Sequence, residues 1–111
     1  MDTVEHYCQL IRQFLTDYAH LSKSNEAIKT VTVFDDQSNR YLLIVTGREN
    51  GERVHFCLAH LEVINGKIWI YYDGTEDGFG NQLLDAGVPK EHIVPAFMSP
   101  EMRKYTDFAV A

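Results

Sequence analysis

The hydrophobic and polar positions of this 111-residue chain change period along its length, from a helical repeat to strand-like apolar runs. Over residues 2 to about 22, apolar residues recur at steps of three and four, which predicts one long helix with a single apolar stripe. The stripe is formed by Val4, Tyr7, Cys8, Ile11, Phe14, Leu15, Tyr18 and Leu21. Asp2, with Glu5 three residues later, is typical of an N-cap pair. A stripe this wide and aromatic is expected to lie across a sheet.

Four stretches after this helix are rich in β-branched and aromatic residues, which predicts strands. They cover residues 27–35, 41–46, 53–64 and 67–72, after a polar stretch at 22–25 that ends the helix. The dipeptides at residues 50–51 and 65–66 are both Asn-Gly, a strong signal for a tight hairpin. Because short turns join consecutive strands, the pattern predicts an antiparallel meander.

The fourth strand contains the only tryptophan and leads into an acidic corner. Strand alternation places Ile68, Ile70 and Tyr72 on one face of the sheet, with Trp69 and Tyr71 on the other. If helices cover a single face, one of these two sets is left exposed.

A second helix is predicted after the corner. Thr75 is a candidate N-cap, and Glu76 and Asp77 would be favourable in the first turn. Gly87 is placed as the C′ glycine, with Pro89 as a stop. The resulting fold class is α+β: a four-stranded antiparallel meander with a long N-terminal helix and a shorter helix after the last strand.

The remaining C-terminal residues carry weaker signals. Residues 90–94 read as a short turn and an extended piece. Ser99 as N-cap followed by Pro100 at N1 predicts a last helix of about one turn. The apolar ending at residues 108–111 is typical of a docked tail.

Composition narrows the class of protein. The length predicts one domain over residues 1–111, and the formal net charge is −6. The basic residues are scattered, and the closest groups, Arg48 and Arg53 on either side of a turn and Arg103 with Lys104, make no continuous footprint for phosphates, which disfavours strong direct DNA binding.

The compartment is predicted from what the sequence lacks. No apolar run approaches the roughly 20 residues needed to span a bilayer, and the first residues lack the features of a secretory signal. The two cysteines, at positions 8 and 57, form no metal or redox pattern. We therefore expect a cytoplasmic protein with reduced, buried thiols and no membrane contact.

Three potential metal ligands occur on the third strand, namely His55, Cys57 and His60. Alternation puts His60 on the opposite face from the other two, so the three would converge only across a bulge. Metal sites of this ligand type also need four ligands, or three with an open position. The preferred interpretation is that they are ordinary strand residues.

The acidic corner itself is formed by Asp73, Glu76 and Asp77, with Asp35 and Asp36 as further candidates. Paired carboxylates can hold a divalent cation, but acids also accumulate at helix N-termini for electrostatic reasons, and capping is the preferred interpretation. The sequence contains no phosphate loop, nucleophile elbow or nuclease-type pattern, and Cys8 lies on the apolar stripe. We expect no catalytic, cofactor or metal site, and no enzyme.

Several runs together resemble a known family. The most specific are Gly66-Lys67-Ile68-Trp69-Ile70-x-Tyr72-Asp73-Gly74-Thr75-Glu76, Ala86-Gly87-Val88-Pro89-Lys90 with Ile93-Val94 and Phe97, Pro100-Glu101-x-Arg103-x-Tyr105-Thr106 and the ending Phe108-Ala109-Val110-Ala111. Upstream, His6-Tyr7 and Tyr41-Leu42-Leu43 also fit. The chain resembles, over essentially its whole length, the XisI family, the fdxN element excision controlling factors of cyanobacteria.

The resemblance implies a compact α+β domain and an accessory role in developmentally regulated DNA excision, the kind that accompanies heterocyst differentiation. Members work with a second controlling factor, XisH, whose fold is nuclease-like, to control a site-specific recombinase. The expected partner is therefore an XisH-type protein, with the recombinase and DNA contacted only indirectly. The resemblance implies no catalytic residue.

Three alternatives follow for function. The leading one is a non-enzymatic regulatory partner, whose acidic charge would attract a basic nuclease-like protein. The second is a direct DNA-binding regulator, and the third is a domain that binds a small ligand or metal at the Asp73 corner. A homodimer is also expected, since a meander leaves two edge strands open for pairing.

The surface expected to contact the partner combines the aromatic face of the fourth strand with the C-terminal motif. Its candidate residues are Trp69, Tyr71, Arg103, Tyr105 and Phe108.

Overall fold

A computed structural model of the protein describes residues 3–21 and 27–111. The helices are α1 (Thr3–Leu21), α2 (Phe79–Asp85) and α3 (Pro100–Arg103); the strands are β1 (Ile28–Asp35), β2 (Arg40–Glu49), β3 (Glu52–Ile64), β4 (Lys67–Asp73) and β5 (Ile93–Val94), and a 3₁₀ turn covers Lys90–His92. The predicted N-cap at Asp2 and the predicted helix end at residues 22–25 lie outside the described residues.

The sheet has the order β1-β2-β3-β4-β5, and its first four strands form the predicted antiparallel meander. Both Asn-Gly dipeptides make two-residue hairpins. Asn50 and Gly51 have φ values of 54° and 80°, and Asn65 and Gly66 have values of 51° and 76°. Two positive values in succession define the type I′ turn, whose twist matches that of the flanking strands.

The predicted number of strands was wrong by one. The extended piece after α2 adds β5, which pairs parallel to β4 through Ile68 with Ile93 and Trp69 with Val94. Beyond it, the Phe97 amide donates to the Ile70 carbonyl at 3.1 Å. These contacts cover the outer edge of β4, so the described residues leave β1 as the long open edge instead of the two edges expected.

Both longer helices pack on one face of the sheet around a single core. The predicted stripe of α1 supplies its most buried side chains, which are Tyr7, Cys8, Ile11 and Leu15. Phe79 and Leu83 of α2 join the same cluster, together with sheet residues such as Leu43, Leu61 and Ile68. The α+β class is therefore confirmed, and the two longer helices form a single layer on the sheet. None of the described helices is long and apolar enough to cross a membrane.

The C-terminal end of α2 follows the predicted glycine stop. Gly87 has φ +95°, its amide donates to Leu84, and the Val88 amide donates to Leu83 at 3.0 Å. This pair of bonds is the Schellman motif, and the buried Val88 and Leu83 supply its hydrophobic contact. The start of α3 is also as predicted, because the Ser99 hydroxyl accepts from the Met102 amide at 3.3 Å and Pro100 is the first helical residue.

The predicted start of α2 was wrong by about one turn. The helix begins at Phe79, and its N-cap is Gly78, with φ +79°. Thr75 does not cap it, because both the Thr75 amide and its hydroxyl donate to the Asp73 carboxylate. Glu76 and Asp77 consequently lie in the connection before the helix.

Two bulges change the faces predicted from alternation. Leu43 pairs with Ala59 while Ile44 pairs with Cys57, so β3 carries an extra residue at Leu58. This places His55, Cys57 and His60 on the same face, against the prediction.

The second bulge lies between β3 and β4. Leu61 pairs with Ile70 but His60 pairs with Tyr72, which makes Tyr71 the extra residue. Tyr72 thus turns to the face of Trp69, whereas Ile68 and Ile70 remain buried as predicted.

Candidate protein-binding face

One face of the sheet lies opposite α1 and α2, and we call it the outer face. The pairing registers place on it Val31, Val33, Leu42, Ile44, Cys57, His60, Glu62, Trp69 and Tyr72, and ring contacts with His60 and Trp69 place Tyr71 there as well. Its apolar members include several large side chains that are exposed, among them Val33 at 46% and Tyr72 at 51%. The outer face is therefore a partly apolar surface that α1 and α2 leave uncovered, and such surfaces commonly mark interaction sites.

Aromatic side chains crowd the β4 side of this face. The Tyr71 ring lies 5.0 Å from the His60 ring and 6.4 Å from the Trp69 ring, the latter pair being nearly parallel at 25°. The β4 bulge adds Tyr72 beside them. We call Trp69, Tyr71 and Tyr72 the aromatic row.

A carboxylate lies under this row. Glu62 is only 9% exposed; its carboxylate forms an ion pair with Arg40, whose Nε lies 3.3 Å away, and a hydrogen bond with His60 Nε2 at 2.9 Å. Two partners offset the desolvation of the carboxylate. The hydrogen bond with Glu62 also orients the His60 ring against Tyr71. Sequence reasoning missed this cluster, although a lone Glu within an apolar strand was a visible signal.

Arg103 supports the aromatic row from the C-terminal side. Its guanidinium carbon lies 5.6 Å from the Trp69 ring centroid, a cation–π distance. The same group donates to four backbone carbonyls, those of Pro95, Ala96, Met98 and Val110, at 3.0–3.4 Å. Arg103 is 9% exposed, so its role is to hold the last segment of the chain against Trp69.

The other predicted contact residues are placed differently. Tyr105 follows α3 and is 86% exposed. Phe108 packs against the core, with its ring 3.6 Å from the position where a side chain on Gly80 would begin. The structure therefore brings together Trp69, Tyr71 and Arg103, turns Tyr105 to solvent, and places Phe108 on the helical side.

The acidic corner adjoins the aromatic row at the end of β4. The Asp73 carboxylate accepts from the Phe79 amide at 2.6 Å and from the Thr75 amide at 3.0 Å. Asp73 therefore joins the end of β4 to the start of α2, which is the capping role expected for the corner. Glu76 and Asp77 are exposed beside it.

The remaining acidic candidates have other partners. Asp36 forms an ion pair with Arg12. Hydrogen bonds from the Ser38 hydroxyl and the Gln37 amide hold the pKa of Asp35 below its ordinary value. Within residues 3–21 and 27–111, no group of three or more His, Cys, Asp or Glu side chains is arranged to hold a metal ion.

Cys8 lies in the core beside Tyr41. Burial and a hydrogen bond with Cys8 raise the pKa of Tyr41 well above its ordinary value. Cys8 is 4% exposed, which is typical of a structural cysteine, whereas Cys57 is only partly buried, against the expectation of two buried thiols.

Asp73→Ala is expected to lower the free energy of unfolding by about 1–2 kcal/mol, because the Phe79 and Thr75 amides lose a charged acceptor. Thermal or urea unfolding measures this difference. Asp77→Ala is the matched control, since its carboxylate is exposed, and it should change stability by less than about 0.5 kcal/mol. Equal effects of the two substitutions would contradict the assigned capping role.

These observations define a class of protein: a small α+β domain with helices on one side of its sheet and a partly aromatic face on the other. The sequence model of the XisI family, described as "XisI protein", matches residues 1–110. The chain belongs to the XisI family.

Two solved structures support the assignment. An XisI-like protein from Anabaena variabilis ATCC 29413 is 30% identical, with a TM-score of 0.91 over 97% of this chain and 99% of its own. The fdxN element excision controlling factor XisI from the same organism is 32% identical, with a TM-score of 0.85 over 99% of this chain and 100% of its own. A search of curated proteins found no match.

Proposed function

We propose that this protein is a non-enzymatic controlling factor of developmentally regulated, site-specific DNA excision, and that it acts by binding an XisH-type protein. Membership of the XisI family supports the excision role, as does the likeness to a protein named as an fdxN element excision controlling factor. The recombinase and the DNA are contacted through this partner.

The observation that carries the proposal is the exposed aromatic row. Tyr71 and Tyr72 are 37% and 51% exposed, and aromatic residues are enriched at the centres of protein interfaces. Trp69 and His60 hold Tyr71 in place, so little side-chain freedom would be lost on binding.

Charge favours a basic partner at the same place. The exposed Glu76 and Asp77 lie just beyond the aromatic row, and the whole chain carries a formal charge of −6. A basic nuclease-like protein would be drawn to this surface and oriented on it.

Co-expression of this chain with the XisH-type protein of the same genome tests the proposal. We expect the two proteins to purify together at low salt and to separate more readily as salt is raised. Failure to form a complex at micromolar concentrations and low salt would contradict the proposal.

Direct DNA binding is a second candidate function, favoured by a cluster of basic side chains on the outer face. The registers place Lys29, His55, Arg48 and Arg53 together on the outer face, at the end near the β2–β3 hairpin. Arg48 and Arg53 are direct cross-strand neighbours, so they could contact a single phosphate.

A mobility-shift titration of the protein alone distinguishes this candidate. Direct binding predicts a complex whose affinity falls steeply with salt and which Arg48→Ala with Arg53→Ala weakens. The preferred function predicts no shift unless the XisH-type partner is added.

A further inference from the structure

The long open edge of the described sheet is β1. Its sequence, Ile-Lys-Thr-Val-Thr-Val-Phe-Asp, has no proline, and its pairing with β2 is continuous, without a bulge. Natural proteins usually protect such an edge with proline, bulges, charged side chains or a covering segment, and β1 has charges only near its two ends, at Lys29 and Asp35. The opposite edge of the meander is covered, because β5 and Phe97 pair with β4.

The direction of the β1 backbone groups follows from one hydrogen bond. The Arg48 amide donates to the Ala27 carbonyl at 3.1 Å. In an antiparallel pair the hydrogen-bonded positions alternate, so the backbone N–H and C=O groups of Lys29, Val31 and Val33 point toward β2. The backbone groups of Thr32 and Phe34 consequently point away from β2, toward the open edge.

We propose that two copies of this chain pair antiparallel through β1, about a two-fold axis at Thr32, and so join their sheets into one. In this register Lys29 lies opposite the partner's Asp35, and Val31 lies opposite the partner's Val33. The Thr32 backbone exchanges two hydrogen bonds with the partner's Thr32. This inference does not depend on the proposed function, because the aromatic row is on β4.

Face and charge select the register. Residues paired across an antiparallel ladder share a face, and Lys29, Val31, Val33 and Asp35 alternate on one face of β1. The axis must therefore pass through a residue instead of between two. An axis at Val31 sets Lys29 against the partner's Val33, and an axis at Val33 sets Val31 against the partner's Asp35. Only the axis at Thr32 joins opposite charges, and it does so twice by symmetry.

Both charged side chains can take part. Lys29 is exposed on the outer face, and Asp35 is exposed at the end of the strand. Three hydrogen bonds from the following turn reach the Asp35 carboxylate, which has about four acceptor sites. These pairs occupy the non-hydrogen-bonded positions, where opposing side chains are closest.

A charge-reversal experiment tests the pairing. Sedimentation velocity of the wild-type chain is expected to show a reversible dimer of 12.8 kDa subunits, with weak, micromolar association because one strand buries little area. Lys29→Asp alone and Asp35→Lys alone each place like charges opposite each other twice, and each should weaken association by about tenfold or more. An equimolar mixture of the two variants should restore the dimer, since every pair then joins opposite charges.

A proline substitution provides a second test of the β1 dimer. Thr32→Pro removes an amide that β2 does not use, so the variant should keep its thermal unfolding midpoint near that of the wild type while losing the dimer. The proposal is overturned by a monomeric wild type at high micromolar concentration, by a mixture of variants that stays monomeric, or by a Thr32→Pro variant that still dimerises. None of these results bears on binding of the XisH-type partner, which is measured separately.

Discussion

Arg103→Ala is expected to lower the free energy of unfolding by about 3 kcal/mol, an unusually large effect for an arginine outside any catalytic site. The side chain is 9% exposed and donates to four backbone carbonyls between Pro95 and Val110. Removing it leaves those carbonyls without their charged donor, and Trp69 loses its cation–π neighbour. The C-terminal segment should therefore detach from β4.

Urea unfolding of the variant, followed by tryptophan fluorescence, measures this effect at Trp69 itself. Arg103→Lys should recover only part of the loss, because an ammonium lacks the planar fork that reaches several carbonyls. Arg53→Ala is the matched control: this arginine is exposed, and its removal should change stability by less than about 0.5 kcal/mol. Similar stabilities for the Arg103 and Arg53 variants would show that the carbonyl contacts contribute little.

Gly47→Ala should be destabilising by about 2–4 kcal/mol, because a side chain at this position has no space. A Cβ atom on Gly47 would lie 2.0 Å from the Ala27 carbonyl oxygen, and φ is +155°. Backbone atoms cannot move aside without breaking the start of the β1–β2 pairing. The same change would disturb the edge through which we propose that the dimer forms.

Comparing the chemical denaturation of the Gly47→Ala and Gly51→Ala variants separates two effects. One is the steric clash of the new Cβ atom, and the other is the cost of a positive φ for a residue other than glycine. Gly51 also has a positive φ, +80°, but nothing lies within 4 Å of its Cβ position. Its substitution should therefore cost only about 1 kcal/mol. If Gly47→Ala proved no worse than Gly51→Ala, the close approach of β1 would be refuted.

The elements that local chemistry determines were predictable from sequence. The three- and four-residue stripe predicted α1, the two Asn-Gly dipeptides predicted both hairpins, and Gly87 predicted the end of α2. In each case the signal lies within a few neighbouring residues, because the required φ values or apolar spacing are local properties.

What escaped prediction depends on pairing between distant strands. The bulge at Tyr71 arises from the register of β3 against β4, and it moves Tyr72 to the outer face although alternation assigns it to the core. The two residues of β5 are too few to carry a pattern of their own. The buried polar contacts of Glu62 and Arg103 follow from tertiary packing: the apolar neighbours of Glu62 along β3 indicate its burial, but no local signal names its partners or those of Arg103.

These corrections sharpen the candidate site. Sequence reasoning proposed Trp69 and Tyr71 as the exposed aromatic pair, whereas Trp69 is half-buried between Tyr71 and Arg103. Substitution of Trp69 would therefore perturb stability and binding together. Tyr71 and Tyr72 expose more of their surface and offer the cleaner test.

The most direct test of the proposed function is a calorimetric titration of the XisH-type protein of the same genome into the Tyr71→Ser/Tyr72→Ser double variant. If the aromatic row is the binding surface, the dissociation constant should rise by about a hundredfold relative to the wild type, with thermal unfolding confirming that the variant is folded. Leu84→Ser, at an exposed apolar position on α2 across the molecule, should leave binding unchanged. A double variant that binds as tightly as the wild type, or a loss of binding with Leu84→Ser instead, would contradict the assignment of the outer face.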